Sequence, residues 1–386
     1  MSNQTTKNQH YVPQFLLGGF DEVGAEKPKV NIFDVERDVV RQNQAVKEVF
    51  SQNYFYDKDN EVEDFLSSHI EGPASEIINR IRADDFSMLE NGGTELIKFM
   101  CCQNARTVEG REDALSFINA HFHQIFSDLN RLNDLGIANP EGFNIRPSGK
   151  DSMRYFNAAQ ALSGVIDSKG MEDLKFHVLI NRTNYEFVLS DHAITRYNWL
   201  YRDLSDPRVG SMLAKGVQLF IPLSDKICLC AYDAKAYKYG QGYSNVSELM
   251  CDKDVYWLNQ LQMRNARSFI AFRSMSMVAY LKKLNLAFYG KKIYVRKSLH
   301  LGQENIGEDK LKTKHMVYTE QVKLREKPTF FKVHRKLRKS VVRFEERDPN
   351  VSQALMMLKE NISEDRVANH ALTSQSTRAQ KSCAGV

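Results

Sequence analysis

No apolar run in the sequence approaches the roughly 18 residues that a membrane-spanning helix requires. The opening Met-Ser-Asn-Gln-Thr-Thr-Lys-Asn-Gln is polar and lacks the apolar core of a secretory leader. A cytoplasmic location is therefore the expectation. The six cysteines include no Cys-x-x-Cys pair, which argues against a zinc ribbon. Cys228 and Cys230 fall on one face of a predicted strand, where thiols act as small buried hydrophobes. There is no Gly-x-x-x-x-Gly-Lys loop, no Gly-x-Ser-x-Gly elbow and no His-Glu-x-x-His. Readings as a P-loop NTPase, an α/β-hydrolase or a zincin thus find no support. No internal repeat is apparent.

What is present is enough chain, at 386 residues and 42% hydrophobic, for one large domain with an extension or for two domains. Charge is unevenly placed. Residues 1–280 carry 30 Lys/Arg against 37 Asp/Glu, a net of −7, whereas residues 281–348 carry 19 against 8, a net of +11. Such a concentration marks an anion-binding element or a segment that packs on the acidic body. The predicted organisation is a domain over 1–285, a basic extension over 286–348 and a polar tail over 349–386. The tail is expected to be largely disordered, apart from a short helix over Val351–Leu358.

Periodicity predicts a strand at Lys29–Phe33 and a turn-and-cap cluster at Asp57–Asn60. Helical spacing follows from Glu61, is interrupted at Gly72-Pro73, and resumes through Ile77, Ile78 and Ile81. A long helical pattern then runs from Glu95, with a break at Gly110. Past Leu174 the pattern changes to strands. Lys175–Ile180 with Tyr185–Leu189 reads as one hairpin, Val217–Ile221 with Ile227–Tyr232 as a second. A helix that gives way to a strand covers about 256–272. Helices followed by strands predict an α+β fold, its helical N-terminal half packed on a mostly antiparallel sheet.

The central motif is Gln9–Phe20, Gln-His-Tyr-Val-Pro-Gln-Phe-Leu-Leu-Gly-Gly-Phe. Pro13 keeps Val12 extended and suits the start of a short helix that Gly18–Gly19 would end. His10 then precedes a helix N-terminus, whose partial positive charge disfavours imidazolium. A neutral His10 would accept a proton, bind a metal or simply cap the turn.

This string resembles the opening of an uncharacterised family, domain of unknown function 4238, whose members begin with His-Tyr-Val-Pro. Further landmarks resemble it in order. They are Tyr54-Phe-Tyr56, Glu63 with Ile70-Glu71-Gly72, Gln103-Asn-Ala-Arg106-Thr107, Phe187-Val-Leu-Ser-Asp191, Ile221-Pro-Leu-Ser224, and Asn259 with Asn265-Ala266-Arg267. Gly18, Val108 and Ala193 depart from the pattern, the last two standing where the family has proline. The resemblance names a family and no activity.

Chemically, Glu63 and Glu71 lie about 80° apart around an ideal helix, so both would face one cleft. Gln103 and Arg106 share a helix face at i, i+3. With His10 and Asp191 added, the set suits hydrolysis of a phosphoester, with general-base or divalent-metal help. The predicted catalytic set is His10, Glu63, Glu71, Arg106 and Asp191, supported by Ser190 and Asn259. Arg335, Lys336, Arg338 and Lys339 would hold a polyanionic substrate such as nucleic acid, with Tyr294, Phe330, Phe331 and Phe344 stacking on bases. The alternative is a non-enzymatic nucleic-acid or protein-binding module whose polar network only holds helices to sheet. His121 and His123 lie about 200° apart on a helix and make poor co-ligands.

Overall fold

The computed structural model describes residues 7–21, 27–127, 146–206, 208–240, 244–305, 311–337 and 343–358. In chain order the N-terminal part holds β1 (Asn8–His10), α1 (Gln14–Leu17), β2 (Lys29–Asp34), β3 (Val39–Ala45) and β4 (Ser51–Asn53). Helices α2 (Glu61–Leu66), α3 (Gly72–Arg82), α4 (Gly93–Ala105), α5 (Val108–Ser127) and α6 (Gly149–Asp167) follow. Then come β5 (Lys175–Asn181), β6 (Leu189–Ser190), β7 (Thr195–Tyr197), β8 (Gln218–Pro222), β9 (Ile227–Tyr232), β10 (Tyr237–Tyr239) and β11 (Val246–Leu249). Helix α7 (Asp252–Asn265), β12 (Phe269–Phe272), α8 (Val278–Phe288), β13 (Tyr294–Asn305), β14 (Leu311–Gln321) and β15 (Phe331–Val333) complete the described elements. The fold is α+β, although four short strands precede the main helices.

Two sheets carry the body, one in the order β11-β5-β9-β8-β7 and the other β3-β2-β12-β6. Pairings are antiparallel except β11 with β5. The β8–β9 hairpin forms as the sequence predicts, but Lys175–Ile180 and Tyr185–Leu189 do not pair with each other. β5 instead inserts between β9 and β11, and the Tyr185 stretch crosses to the other sheet, where β6 pairs with β12. The apolar run of β5 favours the interior of the larger sheet, since a strand buried on both faces needs no alternation.

The long helical pattern breaks at Arg106–Thr107 rather than at Gly110. Thr107 Oγ1 accepts the backbone N–H of Gly110 at 3.1 Å, which makes Thr107 the N-cap of α5. Gly110 is wanted for space, because a Cβ there would lie 2.6 Å from the carbonyl oxygens of Asn104 and Ala105. The Gly18–Gly19 pair likewise does not stop α1 outright, since a 3₁₀ turn continues through Gly18–Phe20. Gly19 lets two segments touch: a Cβ there would fall 1.9 Å from the Leu223 carbonyl oxygen.

Several described residues of the basic stretch after residue 285 pack into the body. Ile293, Leu324, Phe330, Phe331, Val333 and Phe344 belong to an aromatic core with Tyr197, Trp199, Phe220 and Trp257. β15 pairs with β10. Buried Arg347 meets the Asp173 carboxylate at 2.7 Å and donates to the Met212 carbonyl at 2.9 Å. The predicted boundary at 285 is therefore not a gap in packing. Phe330, Phe331 and Phe344 are core residues, which removes them as platforms for stacked bases. The tail's predicted short helix is present over 349–358, and residues 359–386 lie outside the described ones.

Candidate functional site

β1 runs antiparallel to β4, with His10 opposite Ser51. Alternation along the strand separates Gln9 from His10. Gln9 is fully buried, donates to Asp57 Oδ1 at 2.8 Å and accepts the Tyr56 N–H at 2.8 Å. The same Asp57 accepts the Val62 N–H with its other oxygen, so the turn cluster both caps α2 and ties it to the opening strand. His10 is 8% exposed, and its Nε2 has no hydrogen-bond partner. Its pKa is lowered, as the sequence predicts, but chiefly by burial, with Arg106 adding to the effect. The Val46 and Lys47 carbonyls and the Glu71 carboxylate oppose the shift. Burial thus favours the neutral ring, and its Nε2 has no partner.

The carboxylates come from one helical rod. Between α2 and α3 the chain does not stop at Gly72-Pro73 but widens into a π turn over Ser67–Glu71, with the Gly72 N–H bonded to the Ser67 carbonyl five residues back. Pro73 has no N–H to continue the α pattern, and Gly72 has no Cβ to crowd Ser67, so the sequence favours this local widening. A wider turn advances less per residue, which rotates Glu71 towards the line of Glu63 from the 80° or so of an unbroken helix. Burial, with Glu71 adding its charge, lifts the Glu63 carboxyl from 4.5 to about 7.

Arg106, at the end of α4, completes the group. It is 2% exposed, donates through Nη1 to Glu71 at 2.6 Å and through Nε to Gln103 at 2.8 Å. Gln103 donates in turn to the Tyr11 carbonyl at 2.8 Å. Burial, the largest single effect, would lower the guanidinium's pKa, but Glu71, Tyr56 and Cys102 together more than offset it and the net shift is upward. Arg106 Nη2 is buried without a partner. Tyr56, beside this group, donates to the His10 carbonyl at 3.3 Å, and burial holds its phenol neutral. Glu71 and Arg106 thus act on the charge of both His10 and Glu63. Glu63 and Glu71 are the half-buried members through which the group meets solvent.

Asp191 is placed differently. Its carboxylate accepts the N–H groups of Arg267, Ser268 and Phe269 at 2.8, 2.8 and 3.1 Å, closing the turn from α7 into β12. Burial raises it to about 6 against the pull of those three donors. Ser190 donates to the His192 carbonyl and Gln262 Oε1, both at 2.8 Å. Asn259 accepts from Val188 at 3.2 Å and donates to the Glu186 carbonyl at 2.8 Å. These polar side chains clip β6 and its flanks to α7. Thr107 is the joint between the two groups, since its hydroxyl meets His192 Nδ1 while its neighbour Arg106 holds Glu71.

Thr107 and Tyr56 stand in the landmark strings, but their linking role rests on contacts across 85 and 46 positions, which local pattern does not carry. Arg335 and Lys336 are exposed. Arg338 and Lys339, and the side chains of His121 and His123, lie outside the described residues. Among the described residues no group of three or more His, Cys, Asp or Glu side chains is disposed to hold a metal ion. No helix among them is long and apolar enough to cross a membrane.

The family described as Protein of unknown function (DUF4238) matches residues 8–276. No curated protein and no solved structure matches the chain.

Proposed function

The chain belongs to the DUF4238 family, and on that premise we propose that it is a phosphodiesterase or nuclease-like hydrolase working through His10, Glu63 and Arg106. The observation that carries the reading is a pair of buried, unpartnered groups, His10 Nε2 and Arg106 Nη2, beside a carboxyl held near neutrality. Unsatisfied buried polar atoms are uncommon in folded proteins and call for an explanation.

In this reading His10 Nε2 takes a proton from water as the water oxygen forms its bond to phosphorus. The bond from phosphorus to the leaving oxygen breaks, and protonated Glu63 supplies the proton that oxygen needs. Arg106 Nη2 donates to the phosphoryl oxygen that gains charge. Glu71 holds Arg106 in place. With Glu63 protonated, the four side chains carry no net charge, and an anionic phosphate can approach. Exposed Arg335 and Lys336, with the neighbouring Arg338 and Lys339, would hold the rest of a nucleic-acid strand.

A chromogenic phosphodiester tests the proposal. His10→Gln should abolish turnover with folding intact, and kcat/KM should rise and fall with pH, its upper limb near the Glu63 value of about 7. Full activity in His10→Gln would refute it. A second reading, a binding module with a purely structural polar network, draws on the way Asp191, Ser190 and Asn259 serve backbone groups. It requires that His10→Gln leave binding unchanged and that no phosphoester be cleaved.

A further inference from the structure

A second concave site lies between α7 and the chain just after β14, with a cavity volume of about 290 Å³. It shares no residue with the His10 group. One wall is a single face of α7, on which Lys253, Tyr256, Trp257, Gln260 and Arg264 recur at helical spacing. The opposite wall is Lys323–Glu326, and Phe288 of α8 closes one side. The two walls come from either side of residue 276, where the family match ends.

Two features distinguish this cavity from an ordinary surface dent. Trp257 Nε1 and Arg264 Nε are buried donors with no acceptor, on side chains only 2% and 9% exposed. Arg264 is otherwise held by the Lys291 carbonyl at 2.8 Å and by the Phe288 ring, 4.6 Å from its guanidinium carbon. Both orphans are donors, so the missing partner is an acceptor. Around them the charge is also one-sided. Lys323 is paired with Asp203, while Lys253 and Arg325 are exposed and carry no ion pair among the described residues. Glu326 is the lining carboxylate.

We propose that this cavity binds a nucleoside monophosphate. Arg264, Arg325 and Lys253 would take the phosphate, since a dianion suits several converging cations. Tyr256 and Phe288, whose rings already meet edge-on at 6.1 Å, offer apolar faces for a planar base. Glu326 would accept from a ribose hydroxyl or an exocyclic amine. The volume is of the size a single nucleotide needs, at the small end for ligand pockets.

Titration of the full chain with adenosine monophosphate, followed by calorimetry and tryptophan fluorescence, tests the site. Saturable binding is expected, with a fluorescence change that Trp257→Phe removes and Trp199 does not replace. Lys253→Gln with Arg325→Gln, both at exposed positions and so compatible with folding, should weaken binding about tenfold or more. Adenosine and inorganic phosphate should each bind at least tenfold more weakly than the nucleotide. Equal binding of inorganic phosphate would overturn the role of the aromatic wall. Absence of nucleotide binding at millimolar concentration, or affinity unchanged in the double variant, would overturn the site. His10→Gln should leave this binding intact, which keeps the outcome separate from that of the hydrolase.

Discussion

Replacing Glu63 by glutamine should stabilise the protein at alkaline pH and leave it nearly unchanged in acid. The folded chain raises this carboxyl from 4.5 to about 7. Between those values the folded state binds the proton more tightly than the unfolded state does. The stabilisation linked to that proton is complete below 4.5 and is lost as pH rises through 7. Unscreened, a shift of this size corresponds to at most about 3 kcal/mol. Glu63 is half-buried and its outer flank reaches water, so about 1–2 kcal/mol should survive screening. Glutamine resembles the protonated acid in shape and removes the titration. The variant's melting temperature should therefore match the parent's near pH 4 and exceed it by about 1–2 °C near pH 8. Differential scanning calorimetry across that range reads the difference directly. A difference independent of pH, or a variant less stable at pH 8, would refute the electrostatic account of the Glu63–Glu71–Arg106 group.

Asp191→Asn should destabilise the fold by about 2–4 kcal/mol, because one amide oxygen cannot replace a carboxylate that accepts three N–H groups; chemical denaturation measures the loss. A chain ended near Asn285 should lose its cooperative melt, since Phe330, Phe331 and Phe344 leave the aromatic core and Arg347 leaves Asp173; a sharp two-state transition in that chain would count against the packing described. If residues 281–348 hold nucleic acid, changing Arg335, Lys336, Arg338 and Lys339 to glutamine should weaken binding across sequences and flatten its salt dependence. Titrations at about 50 mM salt and upward check this, and absence of any binding at the low end disposes of that partner.

The fold class, the family and the placement of several elements were legible in the sequence, because they rest on local pattern. Strand β2, the β8–β9 hairpin and the passage from α7 into β12 follow from periodicity over a few residues. What local pattern cannot carry is the choice of partner strand. β5 and the Tyr185 stretch are adjacent and both strand-like, yet burial sends them to different sheets. The net charge of residues 281–348 misled for a related reason. A count of lysines and arginines does not register that Phe331 and Val333 lie among them at the alternation of a strand with one buried face, or that Arg347 meets a carboxylate 174 positions away.

The candidate site shows the same division at finer scale. Helical spacing brings Glu63 and Glu71 near one another, but the π turn that aligns them comes from Gly72-Pro73, which reads in sequence as a break. His10 has a lowered pKa for a reason other than the one its position suggests. α1 has four residues, too few for a strong dipole, and burial is the larger effect. Asp191 was grouped with His10 because acidic residues at strand ends often face a cleft, whereas its oxygens are taken up by three backbone N–H groups. The distinction between a reactive carboxyl and a structural one therefore lies in which acceptors are already used. By that criterion the Asp191 carboxylate serves the α7–β12 turn, and the proton at Glu63 is the quantity on which the proposed hydrolysis depends.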